Sequence, residues 1–465
     1  MTTRQVCVRA AVRIAVVVLA LASGLSQRVY AQQMDPRITQ LVSSVSEERL
    51  SNILRKLQSF ETRSSLSSLD STTRGAGAAR EWILQEMKSY SPKLQVSFDG
   101  YIIPPQGQRI TRQIDLRNVM AVLPGRSPRR IYVSGHYDTV ARAGGQGATN
   151  ASPPDPDAAP ARPADPSAPL DNLAPGVNDD GSGTALTIEL ARIFSQSGID
   201  FDATLVFMCH AGEELGLVGA RLHAQKAVEE KIPIVGVLNN DIVGNDKGGN
   251  GIIDGATIRV YSEGPEDSSS RALARFVQRW GGIYVPSHKV RLMSRPDRFG
   301  RGGDHSAYNQ LGFTAVGFRE SRENFTRQHD VRDTFEGISL PYLAQNARVN
   351  AAAAAALALA PPAPAVTSER GQPMITRAPS GYDANLKWVA SPGAVSYRVF
   401  WREAWGPDWQ HDVLVGNVTN LVLPNMQIDD YVFGVAAIDA AGHESMVSAY
   451  VAPPRASPPI KTIAK

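Results

Sequence analysis

The strongest constraint in this 465-residue chain is a set of short apolar runs, each followed closely by histidine or acidic residues. Residues 118–123 and 131–134 are continuous apolar runs, the form of strands covered on both faces. Residues 203–208, 234–239 and 314–318 read as further strands. The spacing predicts helices over 182–196, 215–230 and 268–281, and an alanine-rich closing helix over 340–359. Upstream, residues 35–60 carry helical spacing with Leu50, Ile53, Leu54 and Leu57 on one face. A helix at 76–89 and an alternating strand at 94–103 follow. Alternation of this kind implies an α/β sheet with helices on both faces.

Two stretches break the alternation. Residues 144–175 are rich in Pro, Ala, Asp and Gly and hold almost no large apolar side chain. Such a stretch cannot bury a core and is expected as a long exposed loop, either overhanging a site or a plain insertion. Residues 361–373 form a Pro-rich linker. Beyond it, short strands are expected at 386–389, 396–402, 413–415, 421–423, 431–439 and 446–451, separated by turn signals. This is the grammar of a small β-sandwich. Trp388 is expected in its core, whereas Trp401, Trp405 and Trp409 either pack or contact a surface, polymer or partner.

At the N-terminus, Arg4, Arg9 and Arg13 precede an apolar run at 14–22, then Gly24, Ser26 and Val29-Tyr30-Ala31. This reads as a secretory signal over 1–31, cleaved after Ala31, because the run is short for a membrane span. A secreted or periplasmic protein is expected. Residues 1–31 hold Arg4, Arg9, Arg13 and Arg28 and no acids, so the net charge falls from +3 to −1 on cleavage. That balance gives no reason to expect nucleic acid as a partner. Cys209 is then the sole cysteine, which leaves stability to a large core or a bound metal. At the end of a buried strand it is expected to pack as a small hydrophobe. Sequons begin at Asn150, Asn324 and Asn417 and matter only in a glycosylating host.

The ends of the apolar runs carry the candidate chemistry. The run at 131–134 leads into Gly135-His136-Tyr137-Asp138, where Asp138 can hold one imidazole nitrogen while His136 offers the other. PGVNDDGSG, 175–183, opens a helix that either Asp179 or Asp180 could cap, and it also suits a metal loop. Glu213 and Glu214 follow the run at 203–208, and Asp241 follows the run at 234–239. RQHDVRDT, 327–334, supplies His329 with Asp330 and Asp333 behind it. Open α/β sheets bind ligands at the C-terminal ends of their strands. Two histidines and three carboxylates there suit two zinc ions with one carboxylate bridging. A further glutamate is left to act as general base.

Residues from about 46 to 360 resemble the secreted co-catalytic zinc aminopeptidases, a family that also holds glutaminyl cyclases and glutamate carboxypeptidase relatives. The motifs that carry the resemblance are GHYDTVA, PGVNDDGSG, GEELGLVGA, LNNDIVG and RQHDVRDT, with FETR (60–63) and GGDHSAYNQLGF (302–313) beside them. It implies a peptidase domain over 32–360, a three-layer α/β/α sandwich around a mixed, mostly parallel sheet. It implies His136, Asp179, Glu214, Asp241 and His329 as ligands of two Zn2+, with Asp179 bridging. Glu213 would be the general base, Asp138 would orient His136, and the substrates would be peptide or protein N-termini. His210 and His305 are expected to be structural. Trp388, Tyr397 and YVFGVAAIDAAGHES look like a fibronectin type III module over 374–455, followed by a tail at 456–465.

The connection from Asp138 to Asp180 is longer than the family's usual one, and no stretch marks a specificity pocket. Glutaminyl cyclisation at one zinc is an alternative. So is carboxypeptidase action on small acidic peptides, for which Arg319 or Arg322 would provide basic charge. A non-catalytic binding module is disfavoured because every ligand position is filled.

Overall fold

The computed structural model describes residues 34–141, 171–377 and 381–451. The signal, most of the 144–175 stretch and the 456–465 tail lie outside the described residues. The first helical stretch is two helices, α1 (Pro36–Ser43) and α2 (Glu47–Gln58). Ser46 separates them, its side chain accepting from Arg49 N as an N-cap. Next come α3 (Gly75–Lys88), β1 (Gln95–Ile103), β2 (Ile114–Leu123) and β3 (Ser127–His136). The chain continues through α4 (Gly181–Gln196), β4 (Ala203–His210), α5 (Val218–Glu229), β5 (Ile234–Asn240) and β6 (Thr257–Ser262). It closes this part with α6 (Ser269–Tyr284), β7 (Lys289–Met293), α7 (Asp304–Asn309), β8 (Ala315–Glu320) and α8 (Leu340–Leu359).

The eight strands form one mixed sheet in the order β1-β2-β4-β3-β5-β8-β6-β7. β4, β3, β5 and β8 run parallel, while β1, β2 and β6 enter through antiparallel pairings. The apolar runs lack polar alternation because both faces are covered. Ile131, Val133, Leu205 and Phe207 join a core shared with α2, α4 and α8. Their neighbours Tyr132, Val206 and Met208 point the other way, into a second core closed by Ala220 and Ala224 of α5 and Tyr308 of α7. This is the expected three-layer sandwich. Cys209 is fully buried in the larger core, and burial pushes its thiol pKa up.

One expectation fails at an end of the Pro/Ala-rich stretch. Ala174 and Pro175 are buried rather than exposed, because Ala174 bridges to Thr62 and Arg63 takes the Pro175 carbonyl at 2.6 Å.

The C-terminal part holds two antiparallel sheets. One is β9 (Ile375–Arg377), β10 (Ala384–Lys387) and β13 (Asn420–Leu423); the other is β11 (Ser396–Glu403), β12 (His411–Val415), β14 (Tyr431–Ile438) and β15 (Ser448–Ala449). Leu386, Trp388, Tyr397, Val399, Phe433 and Val435 fill the space between them. Val366, inside the Pro-rich stretch, also belongs to that core, so the stretch is not a free tether. Arg402 is buried against Asp267 at 2.5 Å, and Arg275 donates to the Pro407 carbonyl at 2.8 Å, tying this part to the residues around α6. Trp409 packs on Phe400 and Trp401 stacks on His411; Trp405 is exposed.

Candidate metal centre

Four parallel neighbours, β4, β3, β5 and β8, place their C-terminal ends along one edge of the sheet. His136 is the last residue of β3. Glu213 and Glu214 sit in the turn between β4 and α5, Asp241 directly follows β5, and His329 lies in the loop after β8. Asp179 arrives from the turn before α4. That turn comes close to the sheet because Gly135 and Gly183 carry no side chain. A Cβ on Gly183 would stand 2.1 Å from the Asn240 carbonyl, and one on Gly135 would meet the Gly183 backbone at 2.5 Å.

The structure brings all five predicted ligands together. One Asp179 oxygen lies 3.4 Å from His136 Nε2 and the other 3.1 Å from His329 Nε2. His329 Nε2 is 3.0 Å from Glu214 Oε1, and His136 Nε2 is 3.6 Å from Asp241 Oδ1. Donor atoms about 2.0–2.2 Å from a tetrahedral zinc stand roughly 3.3 Å from one another, close to these spacings. His136 Nε2 and Asp241 Oδ1 are buried and make no hydrogen bond. Orphaned buried atoms of this kind need a partner, and a cation between them supplies one. The residues present therefore fit the expected metal.

The local charge agrees. Burial disfavours a protonated His136, yet Glu213, Asp138, Asp179 and Asp241 outweigh it and raise its pKa well above the usual value. Burial is likewise outweighed at His329, which Asp179 and Glu214 raise to about 10. The carboxylates thus call for more positive charge than the side chains alone supply. Asp304 stands beside them: neither of its oxygens makes a hydrogen bond, and burial pushes it up to about 8, so its carboxyl favours the neutral form unless a cation is near.

Asp180, the neighbour of Asp179, also reaches this cluster. Its oxygens are already committed. Oδ1 accepts from Gly183 N at 2.9 Å and Ile242 N at 3.1 Å, and Oδ2 accepts from His136 N at 2.9 Å. Asp180 is the N-cap of α4 and a clamp between three segments, which leaves Asp179 as the carboxylate turned toward both histidines.

Asp138 does more than the sequence suggested. His136 Nδ1 faces its backbone carbonyl at 3.0 Å and its carboxylate at 3.6 Å. The carboxylate also accepts from Glu213 N at 3.1 Å and Glu214 N at 3.2 Å, so one side chain sets two strand ends in register. His210 lies 3.4 Å from the Tyr308 hydroxyl, and His305 Nε2 faces the Pro296 carbonyl at 2.9 Å; both are structural, as expected.

Some positioning residues had no visible role in the sequence. Asp333 accepts from Asn178 N and Asp179 N, each at 2.9 Å, and burial raises it to about 7. Its one sequence signal is its place four residues after His329. Arg63 of the FETR segment is fully buried and donates to the carbonyls of Tyr137, Pro175 and Gly176. Arg319 is buried as the ion-pair partner of Asp241, not a surface charge. Arg322 is exposed and lines a separate groove. Ile242 and His329 both have positive φ, +60° and +55°, a backbone region that costs a β-branched residue most.

Residues 118–354 match Peptidase family M28. The chain belongs to that family. A probable zinc metalloprotease of Pyricularia oryzae is 35% identical to this M28 peptidase, the match covering 91% of this chain and 86% of that protein. One from Pyrenophora teres f. teres is 32% identical over 91% and 88%. The Legionella pneumophila LapA aminopeptidase shares the fold of this M28 peptidase, with a TM-score of 0.51 and 19% identity over 72% of this chain and 78% of that one. With the donor set above, these relatives make the chain a zinc peptidase.

Glu323 braces the wall of this cleft. It pairs with Arg259 at 2.6 Å and with Arg298, and it accepts from Gln328, the neighbour of His329, at 3.2 Å. Burial alone would raise its pKa, but Arg298, Arg319 and Arg259 hold it down to about 2. A folded-state pKa below the unfolded value gives stability that is complete above about pH 4.5 and lost as pH falls through about 2. The expected contribution is roughly 3 kcal/mol. Melting curves across that window should fall more steeply for the wild type than for Glu323→Gln. Equal slopes would show that the arginines do not hold this charge.

Proposed function

We propose that this M28 peptidase is an aminopeptidase that holds two zinc ions and removes the N-terminal residue of peptides. The observation that supports it most is the position of Asp179, with one oxygen toward His136 and the other toward His329. In this reading His136 and Asp241 would hold one zinc and Glu214 and His329 the other, with Asp179 available to both. When bound, the two ions supply the Lewis acidity that activates water and polarises a scissile carbonyl.

The chain's own residues do the rest. Glu213 lines the cleft with its Oε2 4.0 Å from His136 Nε2, placed to take the proton of the attacking water. It then carries that proton to the leaving amine. Asp138 fixes the backbone of Glu213 and the ring of His136 together, so base and ligand share one reference point. The surplus of acid around the site favours a substrate's α-ammonium, which supports exopeptidase action. The cleft encloses about 510 Å³, room for a few residues.

Purified protein should be assayed on aminoacyl-anilides alongside their N-acetylated forms, with zinc per chain measured in parallel. About two zincs and cleavage of free-amine substrates alone are expected. Cleavage of acetylated substrates would replace the exopeptidase reading. One zinc with conversion of an N-terminal glutamine peptide would replace it with the cyclase. We further read residues 1–31 as a cleaved secretory signal and 374–455 as a fibronectin type III-like module that tethers the enzyme. Mass spectrometry of exported protein should find Gln32 as its first residue.

A further inference from the structure

The cleft carries arginines that the proposed hydrolysis does not use. Arg109, Arg221, Arg298, Arg301 and Arg319 all line it. Three of them have acidic partners: Arg319 pairs with Asp241, and Arg298 and Arg301 share Glu323 with Arg259. Arg109 and Arg221 have no acidic partner among the described residues. Arg109 reaches only the Glu214 carbonyl, at 3.5 Å. Arg221 sits on the first turn of α5, and both side chains are exposed.

Their position is specific. A second cavity of about 430 Å³ adjoins the first, walled by Ile103, Ile110, Leu215 and Leu222. Arg109, Gly216 and Arg221 line both cavities, so the two arginines stand where one opens into the other. The Glu213–Leu217 turn, closed by Gly216 N and Leu217 N donating to the Glu213 carbonyl, joins this gate directly to the candidate base. Two unneutralised guanidinium groups beside a concave site attract anions and fix carboxylates by directed hydrogen bonds.

Resting on the aminopeptidase reading, we propose that this gate gives the enzyme a preference for substrates with a carboxylate close to the scissile bond. The carboxylate comes from the first side chain, from the second side chain, or from the C-terminus of a short peptide. Arg109 and Arg221 bind it as the peptide passes from the first cavity into the second.

The test uses the zinc-loaded full chain and matched tripeptides. One pair of amides carries glutamate or glutamine at the first position and a second pair at the second position. A third pair has a free or amidated C-terminus. At least one acidic member is expected to exceed its neutral partner about tenfold in kcat/KM, chiefly through KM, since hydrogen bonds to charged groups are worth that much or more. The pair that shows the effect identifies the source. In Arg109→Gln/Arg221→Gln the ratio should fall toward one, and in the wild type it should shrink with added salt because both groups are exposed. Equal rates within every pair overturn the proposal while leaving the peptidase intact. A ratio unchanged in the double variant also overturns it, because the metals alone would then be binding the carboxylate. If no tripeptide is hydrolysed, the aminopeptidase reading fails, and calorimetry with the same pairs decides. Tighter binding of an acidic member that is lost in the double variant sustains the gate, and equal binding overturns it.

Discussion

Glu213→Gln is expected to lower kcat by about 10²- to 10⁴-fold while leaving the zinc content of the chain unchanged. The substitution keeps the size and removes the ability to accept a proton. Burial pushes the Glu213 pKa well above the ordinary glutamate value, opposed by His136 and reinforced by Glu214 and Asp241. A raised carboxylate is the better base near neutrality. Its backbone N–H, held by Asp138, is untouched by the change, and its side chain makes no hydrogen bond among the described residues, so the fold has little to lose. The wild-type kcat profile should carry an acid limb, with activity lost as falling pH protonates the carboxylate, and that limb should be absent from the residual activity of the variant. Zinc per chain, Tm and the kcat profile measured on the same preparation separate the outcomes. A loss of less than tenfold would move the general base elsewhere. A loss accompanied by missing zinc would make Glu213 a ligand.

Much of this site was legible because the chemistry-bearing residues sit at the ends of conspicuous apolar runs. His136 ends, and Asp241 directly follows, a strand covered on both faces, and such strands show themselves without alternation. β6 and the edge strand β7 beside it escape a reading of this kind, for the opposite reason. Arg259 interrupts the first, and Lys289 and Arg291 give the second a charged, exposed face. The division between α1 and α2 was also missed, since the apolar spacing of Leu50 to Leu57 says nothing about where the preceding turn stops. The positioning residues were harder still. Arg63 works on carbonyls more than 70 positions away and Asp333 on amides about 155 away, so the motifs FETR and RQHDVRDT mark both residues without showing what they hold. The gate arginines are invisible in sequence for a related reason. What distinguishes Arg109 and Arg221 from the other cations is their place in space, where two cavities meet.

The pair Asp179 and Asp180 tests how far tertiary contacts decide the role of identical neighbours. Either residue could be ligand or cap by sequence, since both precede the same glycine-rich helix start. In the folded chain they divide the work. Asp179→Ala is expected to reduce zinc from about two per chain to one or none and to abolish turnover, while the metal-free variant melts close to the metal-free wild type. Its carboxylate faces histidines, and few backbone groups depend on it. Asp180→Ala removes the acceptor for His136 N, Gly183 N and Ile242 N together. Each buried donor left without a partner costs about 1–3 kcal/mol, so the loss is on the order of 3–6 kcal/mol after relaxation. That is a large part of an ordinary folding free energy, and Asp180→Ala should melt well below wild type even without metal. Asn at 180 should recover only part of the loss, because its amide can present one acceptor where three donors converge. The comparison of metal-free melting curves with zinc content separates the two roles. If Asp180→Ala held its Tm and lost zinc while Asp179→Ala did the reverse, the bridging position would pass to Asp180, and His136 would be oriented by a ligand of its own metal instead of by a helix cap.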